Sequence, residues 1–249
     1  MSEKAPKSEE LLTLRILLVG TSVGEATLWA QGAGRASVPI QFHRHDPARS
    51  ALPSDGADIF VIDGNLSPDV SAGVVAAARD LKPSPLVLTC GHVNGQRPPG
   101  IDGVLPRPKL IEDARRLADL CVRARLPKRV LIVDDSSTMR SIVRKILSAS
   151  RFQLETEEAF DGETALAQVR SGRFGLVFVD YNMPGFNGID TLKEIKRQRE
   201  HVAVVLITSS LDSGLAQRAI AAGAFAFLKK PFYPADIDAL LERYFGLNG

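Results

Sequence analysis

The most constraining feature of the sequence is a short apolar run that leads directly into two adjacent carboxylates. Residues 130–133, Val-Leu-Ile-Val, are typical of a strand buried on both faces of a parallel sheet. Apolar residues then recur with helical spacing after Asp134 and Asp135, and Ser136 or Ser137 is a suitable N-cap. The acidic pair thus lies where a strand gives way to a helix, which is where open α/β sheets bind ligands. Because neighbouring carboxylates repel each other unless a cation joins them, the pair indicates a cation site.

Alternating strand and helix patterns occur twice along the chain, and the ends of the strands can be overlaid. Gly20-Thr21 aligns with Asp134-Asp135, Asp63 with Asp180, Thr89 with Thr208, and Arg107-Pro108 with Lys230-Pro231. The second copy predicts strands at 130–133, 153–156, 176–179, 202–207 and 224–228. We therefore predict two α/β domains, each a doubly wound five-stranded parallel sheet, at residues 14–126 and 127–249, after a disordered segment at 1–13. Residues 91–100 are rich in Gly and Pro, so we expect the first copy to lose a helix there.

Composition limits the classes of function. A length of 249 residues suits two domains, and a net charge of +2 gives no reason to expect nucleic acid as a partner. Nothing resembles a DNA-reading helix-turn-helix, and no apolar run is long enough to span a membrane, so we expect a cytoplasmic protein without membrane insertion. Cys90 and Cys121 are expected to be buried thiols, and the histidines lack zinc-type spacing with cysteine.

The second copy brings acidic, hydroxyl and ammonium groups to one edge of its predicted sheet. They follow four strands, at Asp134-Asp135, Asp180, Thr208 and Lys230. Carboxylates at such an edge would hold a hard cation such as Mg²⁺, and the hydroxyl and ammonium would bind the oxygens of a phosphoryl group. Taken singly, each residue has an ordinary structural explanation as an N-cap, a turn residue or strand filler. Their joint occurrence at successive strand ends favours a phosphoryl-transfer site.

Residues 128–249 resemble a CheY-like response-regulator receiver domain, which has a flavodoxin-like fold. The motifs are Val-Asp134-Asp135, Val-Asp180-Tyr-Asn182-Met-Pro, Ile-Thr208-Ser209 and Lys229-Lys230-Pro231-Phe232. The resemblance implies that a sensor histidine kinase or histidine phosphotransferase transfers phosphate to Asp180. It also implies that Mg²⁺ is bound by Asp134, Asp135, Asp180 and the backbone carbonyl of Asn182.

The resemblance further implies a conformational switch. Thr208 and Lys230 would contact the phosphoryl group, and Phe227 occupies the position of an aromatic residue that follows the threonine inward. Because phenylalanine has no hydroxyl to keep solvated, we hypothesise that the switch is biased inward even before phosphorylation. Outward-pointing Phe227 in the unphosphorylated protein would argue against this bias. Asn182 and Ser210 are the positions expected to tune the phosphate lifetime.

The first copy resembles a degenerate receiver, or pseudo-receiver. Gly20 and Thr21 replace the acidic pair, and Arg107 replaces the lysine, so Mg²⁺ affinity should collapse. We predict that Asp63 is not phosphorylated and that this domain serves as a structural or docking module. Similar paired receivers occur at the head of some diguanylate cyclases, where the inactive copy is a dimerisation adaptor, so we expect that a homodimer can form.

Three functions compete. The leading one is a response regulator that is not an enzyme beyond accepting and losing phosphate. We expect it to have no separate output domain and to act on a downstream protein. The second is a constitutive scaffold or second-messenger-binding regulator, in which arginines of the basic helix and the following strand would contact the ligand. The basic residues of this region are Arg115, Arg116, Arg123, Arg125, Lys128 and Arg129. The third, a phosphohydrolase, is disfavoured because its usual Asp-x-Asp motif on one strand is missing.

Overall fold

The protein is described here from a computed structural model that covers residues 13–34, 36, 38–53, 56–91, 99–210, 212 and 214–248. It divides into two compact units, the first comprising residues 1–125 and 245–249 and the second residues 126–244. Each unit contains one five-stranded parallel sheet with helices around it, which confirms the predicted fold class.

The first unit has strands β1 (Leu14–Val19), β2 (Ile40–His45), β3 (Ile59–Asp63), β4 (Leu86–Cys90) and β5 (Gly103–Leu105), and helices α1 (Val23–Ala33), α2 (Pro68–Asp80) and α3 (Ile111–Arg125). Its sheet order is β2-β1-β3-β4-β5. The strands β3 and β4 are buried along their whole length, in keeping with their mainly apolar sequences. Ser22 and Ser67 cap α1 and α2 by accepting backbone hydrogen bonds.

The first unit differs from the second in the connection between its second and third strands. Within the described residues 46–53 and 56–58, no helix joins β2 to β3. Leu52 and Ala57 from this connection instead pack against the apolar cluster formed by residues of β1, β3 and α2. The helix expected to be lost near residues 91–100 falls mostly on residues 92–98, which lie outside the described residues.

The second unit has strands β6 (Lys128–Val133), β7 (Leu154–Ala159), β8 (Leu176–Asp180), β9 (Ala203–Thr208) and β10 (Ala226–Lys229), and helices α4 (Ser137–Ser148), α5 (Gly162–Ser171), α6 (Gly188–Gln198), α7 (Leu215–Ala221) and α8 (Pro234–Phe245). Its sheet order is β10-β9-β8-β6-β7. Ser136, Asp161 and Asn187 cap the first three helices, so polar residues set where each helix begins after a strand.

β7 is longer than its apolar sequence predicts. It continues through Glu157 and Glu158 to Ala159, because it is an edge strand whose charged side chains pair with arginines of neighbouring elements. Such charges are typical of exposed sheet edges.

The last residues of the chain lie with the first unit, although we expected residues 245–249 in the second domain. The carbonyl of Leu247 accepts a hydrogen bond of 2.6 Å from the backbone N–H of Val104, and Asn248 forms a parallel bridge with the same residue. The Leu247 side chain is fully buried. The expected disordered N-terminus falls on residues 1–12, which are outside the described part. Over the described residues, we find no helix with the length and apolarity needed to cross a bilayer.

Candidate functional site

The acidic, hydroxyl and ammonium groups of the second unit converge at the carboxyl edge of its sheet. Asp134 follows β6, Asp180 ends β8 and Thr208 ends β9, and these three strands are neighbours in the sheet. Lys230 follows β10 immediately, and its backbone N–H donates to the Thr208 carbonyl over 2.7 Å. Parallel pairing therefore brings together groups that are up to 96 residues apart in the sequence.

Lys230 is the centre of this cluster. Its Nζ lies 2.7 Å from Oδ1 of Asp180 and 3.1 Å from Oδ2 of Asp134. Both aspartates are buried, and the second oxygen of each accepts a backbone hydrogen bond of 2.8 Å two residues further on, from Ser136 to Asp134 and from Asn182 to Asp180. Each carboxylate is therefore held by both of its oxygens.

The charges of the cluster are only partly balanced. Burial raises the pKa of the Asp134 carboxyl, and its bonds to Ser136 and Lys230 do not fully compensate for the loss of water. Burial disfavours the Lys230 ammonium, but its bonds to Asp180 and Asp134 outweigh that cost and raise its pKa. One ammonium shared by two carboxylates leaves a surplus of negative charge, which favours a further cation.

The predicted metal ligands differ in how far they are buried. Asp134 and Asp180 are buried, whereas Asp135 and Asn182 are exposed at the rim. Asn182 donates from Nδ2 to Oγ of Ser209 over 3.3 Å. Over the described residues, no three acidic, histidine or cysteine side chains are grouped closely enough to hold a metal ion as they stand. The four-ligand set thus remains a prediction.

The predicted switch residues lie beside the cluster. Thr208 is fully buried, and its Oγ1 accepts a 2.9 Å hydrogen bond from the backbone N–H of Ser210. Phe227 is half-buried and packs against the core of the second unit. The inward bias of the switch stays a hypothesis.

The corresponding edge of the first unit contains an ion-pair cluster of different origin. Arg107 forms ion pairs with Asp63, at the end of β3, and with Oε2 of Glu25 over 2.6 Å. Both carboxylates are buried, while the Arg107 side chain is 33% exposed. The Cys90 thiol lies 3.7 Å from Oε1 of Glu25, and burial, followed by the charge of Glu25, raises its pKa.

Sequence reasoning missed Glu25 because it searched only the ends of strands. Glu25 lies in the first turn of α1, where its backbone N–H bonds to the N-cap Ser22. At the offset of 114 residues it aligns with Met139. The available signal was an acidic residue in the first turn of the helix, in the copy that lacks the acidic pair after its first strand.

The basic residues named at the end of the first copy divide between the two units. Arg115 and Arg116 of α3 pair with Glu112 and Asp113 on their own helix, as in a solvated helix face. Lys128 and Arg129 begin β6 in the second unit.

Comparisons with known proteins agree with this geometry. Residues 130–242 match the family model of the response regulator receiver domain. The chain is 41% identical over 119 residues to the chemotaxis protein CheY-3 of Vibrio cholerae serotype O1, covering 47% of this chain and 91% of that protein. It is 36% identical over 119 residues to the chemotaxis protein CheY of Pseudomonas aeruginosa, covering 47% of this chain and 95% of that protein.

One solved structure resembles both units together. It is a probable two-component system response regulator/GGDEF domain protein, with a TM-score of 0.55 and 21% identity, over 94% of this chain and 98% of that chain. At this identity the likeness concerns the fold. The tandem arrangement of two receiver-like sheets is thus found in another protein.

Proposed function

This chain belongs to the response regulator receiver family of two-component signalling, and we propose that its second unit accepts a phosphoryl group on Asp180 and thereby switches its contacts with other proteins. The observation that carries the proposal is the Lys230 ammonium held between the buried carboxylates of Asp180 and Asp134 at the carboxyl edge of the sheet. Phosphoryl transfer depends mainly on positioning and charge neutralisation, and this cluster supplies both.

Asp180 is the nucleophile in this proposal. A carboxylate oxygen attacks the phosphorus of a phosphohistidine on a kinase or phosphotransferase, the new P–O bond forms, and the P–N bond breaks with its electron pair retained by the departing imidazole. The hydrogen bond from the Asn182 backbone fixes the orientation of the Asp180 carboxylate. A preformed orientation removes part of the entropic cost of the reaction.

Lys230 and Thr208 then hold the product. Phosphorylation removes the negative charge of Asp180 that pairs with Lys230, so the ammonium follows the charge to the phosphoryl oxygens. The Thr208 hydroxyl already accepts from Ser210 and can donate its own proton to a phosphoryl oxygen. Movement of Thr208 toward the phosphoryl group would open space for Phe227.

The donor set fits Mg²⁺. Asp134, Asp135 and Asp180 together with Lys230 sum to a charge of −2 (three carboxylates and one ammonium), and all the side-chain donors are the oxygen ligands that this cation prefers. We propose that these carboxylates and the Asn182 carbonyl hold it. When bound, Mg²⁺ neutralises charge that the incoming phosphoryl group would otherwise meet.

For the first unit we propose a pseudo-receiver that accepts no phosphate. Its Asp63 is already bound to a guanidinium, and the edge has neither strand-end acid pair nor lysine. We therefore propose that the first unit has a structural or docking role.

The proposal is tested by incubating the full chain with acetyl phosphate and Mg²⁺ and measuring intact mass. We expect one phosphoryl group per chain, mapped to Asp180 by peptide analysis and lost in Asp180→Asn. The matched control is Asp63→Asn, which should leave the incorporated phosphate unchanged. Phosphate on Asp63, or undiminished incorporation in Asp180→Asn, would contradict the assignment.

A second experiment separates switching from constitutive scaffolding. Beryllofluoride with Mg²⁺ should change the oligomeric state or partner binding of the wild type and leave Asp180→Asn unchanged. An identical result for both chains would favour the constitutive scaffold.

A further inference from the structure

The second unit contains a basic cavity at the edge of its sheet opposite the phosphorylation site. The cavity has a volume of about 700 Å³ and is lined by the start of β6, the connection between α5 and β8, and the connection between α6 and β9. These segments lie where strands begin, whereas Asp134, Asp180 and Thr208 lie where strands end. Binding pockets for small ligands typically have volumes of about 300–1,000 Å³.

The cavity concentrates positive charge. The basic residues Lys128, Arg129, Arg173 and Arg199 line it together with His201, and among the described residues of its lining Glu155 is the one acid. Within the described part of the chain, Lys128, Arg173 and His201 form no ion pair. The Arg199 side chain donates to the carbonyl of Arg170 over 3.2 Å, and this neutral acceptor does not cancel its charge. Outside the cavity, by contrast, Arg197 is paired with Glu194 at 2.6 Å.

Arg129 supplies a flat, prearranged surface. Its guanidinium lies 4.8 Å from the centre of the Phe174 ring, and its Nε donates to Glu157 over 3.1 Å. The side chain remains 39% exposed, and the face of the guanidinium turned away from Phe174 is the one that a ligand would meet. A planar guanidinium held in this way is suited to stack on a second planar group.

We propose that this cavity binds a nucleotide. Lys128 and Arg173 would hold the phosphates, and the base would stack on the free face of the Arg129 guanidinium. Phosphate groups take charge-assisted hydrogen bonds from such side chains, and an anion would relieve their mutual repulsion. The proposal does not depend on phosphorylation of Asp180. It gives the alternative function, a regulator that binds a second messenger, a binding site in the structure.

The test is calorimetric titration of the full-length chain with ADP, pyrophosphate and adenosine in separate experiments. EDTA in the buffer keeps divalent cations from recruiting phosphates to the acidic cluster. We expect ADP to bind more tightly than pyrophosphate or adenosine, and the affinity to fall as salt is added. Lys128→Gln combined with Arg173→Gln should weaken ADP binding about tenfold or more, since each lost contact to a charged group costs about 1–2 kcal/mol.

Two further variants isolate the roles. Arg129→Lys keeps the positive charge but removes the planar guanidinium, so it should weaken ADP binding and leave pyrophosphate binding unchanged. Arg197→Gln removes an exposed arginine outside the cavity and is the matched control, with unchanged affinity expected. Circular dichroism of each variant establishes that it is folded.

The proposal is overturned if ADP shows no binding at about 1 mM, or if the double variant binds it as tightly as the wild type. Equal affinities for ADP and pyrophosphate would overturn the stacking of the base. Adenosine binding as tight as ADP binding would overturn the role of the basic residues. Because all of these measurements are made without phosphoryl donor, they can fail while Asp180 phosphorylation stands.

Discussion

Both units place a basic side chain between two carboxylates at the carboxyl edge of a parallel sheet, but the second carboxylate comes from a different place in each. In the second unit Lys230 bridges Asp180 and Asp134, both at strand ends. In the first unit Arg107 bridges Asp63 and Glu25, and Glu25 belongs to the first turn of a helix. Both edges therefore contain an ion-pair network, and the two networks differ in the residues that form them.

The difference in composition changes what each edge can bind. Glu25, Asp63 and Arg107 sum to a charge of −1 (two carboxylates and one guanidinium), against −2 for the second unit with Asp135 included. The planar guanidinium of Arg107 binds one oxygen of Glu25 through Nη1 and one oxygen of Asp63 through Nη2. Gly20 has φ of 76°, and a Cβ there would lie 2.8 Å from the Leu66 side chain, so the backbone no longer accommodates an acid at this position. Substituting two residues would not restore the first site.

The largest effect is expected from removing the acidic pair of the second unit. Asp134→Asn combined with Asp135→Asn should slow phosphoryl incorporation from acetyl phosphate by a factor on the order of 10²–10³, because charge stabilisation in the transition state is lost. Asparagine at 134 retains an acceptor for the Ser136 backbone, so the turn should persist. The rate is measured by intact mass against time, at several Mg²⁺ concentrations. Asp63→Asn is the control, and an undiminished rate in the double variant would place the cation elsewhere.

The next effect concerns the stability of the first unit. Arg107→Ala leaves Glu25 and Asp63 buried without a counter-charge, which should lower the free energy of unfolding by about 3 kcal/mol, the lower end for such a loss because Arg107 is one-third exposed. Trp29, the one tryptophan of the sequence, is fully buried in this unit, so urea unfolding followed by its fluorescence reports on it. Arg107→Lys should cost less, since it keeps the charge. No change in the midpoint for Arg107→Ala would mean that the ion pairs do not stabilise the fold.

Lys230→Ala should behave differently from Arg107→Ala. It also leaves two buried carboxylates without a counter-charge, and we expect a loss of about 3 kcal/mol in the second unit. Millimolar Mg²⁺ should recover part of this loss, because the cation can take up the vacated charge. All three tyrosines (Tyr181, Tyr233 and Tyr244) lie in this unit, and their near-ultraviolet signal reports on its unfolding. Equal rescue of Arg107→Ala by Mg²⁺ would remove the proposed difference between the two edges.

The sequence predicted the sheets and the second-unit cluster well because both depend on strand ends. Buried parallel strands have continuous apolar sequences, and parallel pairing places their carboxyl ends side by side, so Asp134, Asp180, Thr208 and Lys230 could be grouped without coordinates. Glu25 could not be grouped in this way, since its position depends on how α1 packs on the sheet. The orientation of a helix is not set by strand order.

Boundaries were harder to predict where tertiary contacts override local pattern. The charged sequence Glu157-Glu158 looks like a connection, yet it lies in β7, where Arg129 of β6 pairs with Glu157 and Arg140 of α4 pairs with Glu158. The C-terminal residues follow the last helix of the second unit in sequence, yet Leu247 is buried against Gly103 and pairs with Val104 of the first unit. The basic cavity also depends on packing, because its basic residues come from the start of β6 and from two separate connections.

The smallest expected effect concerns the proposed switch residues, Thr208 and Phe227. Phe227→Tyr adds a hydroxyl that is solvated when the ring points outward and costs roughly 1 kcal/mol when it is inward without a partner. If the phenylalanine biases Thr208 and Phe227 toward the inward arrangement, the substitution should slow phosphorylation of Asp180 by about fivefold, because the competent state becomes less populated. The rate with acetyl phosphate is compared with that of Phe225→Tyr, a half-buried aromatic of the same unit that stacks on Arg243 instead. A rate in Phe227→Tyr equal to the wild-type rate would show that the aromatic position sets no bias, and the difference between the two units would then rest on the charged clusters alone.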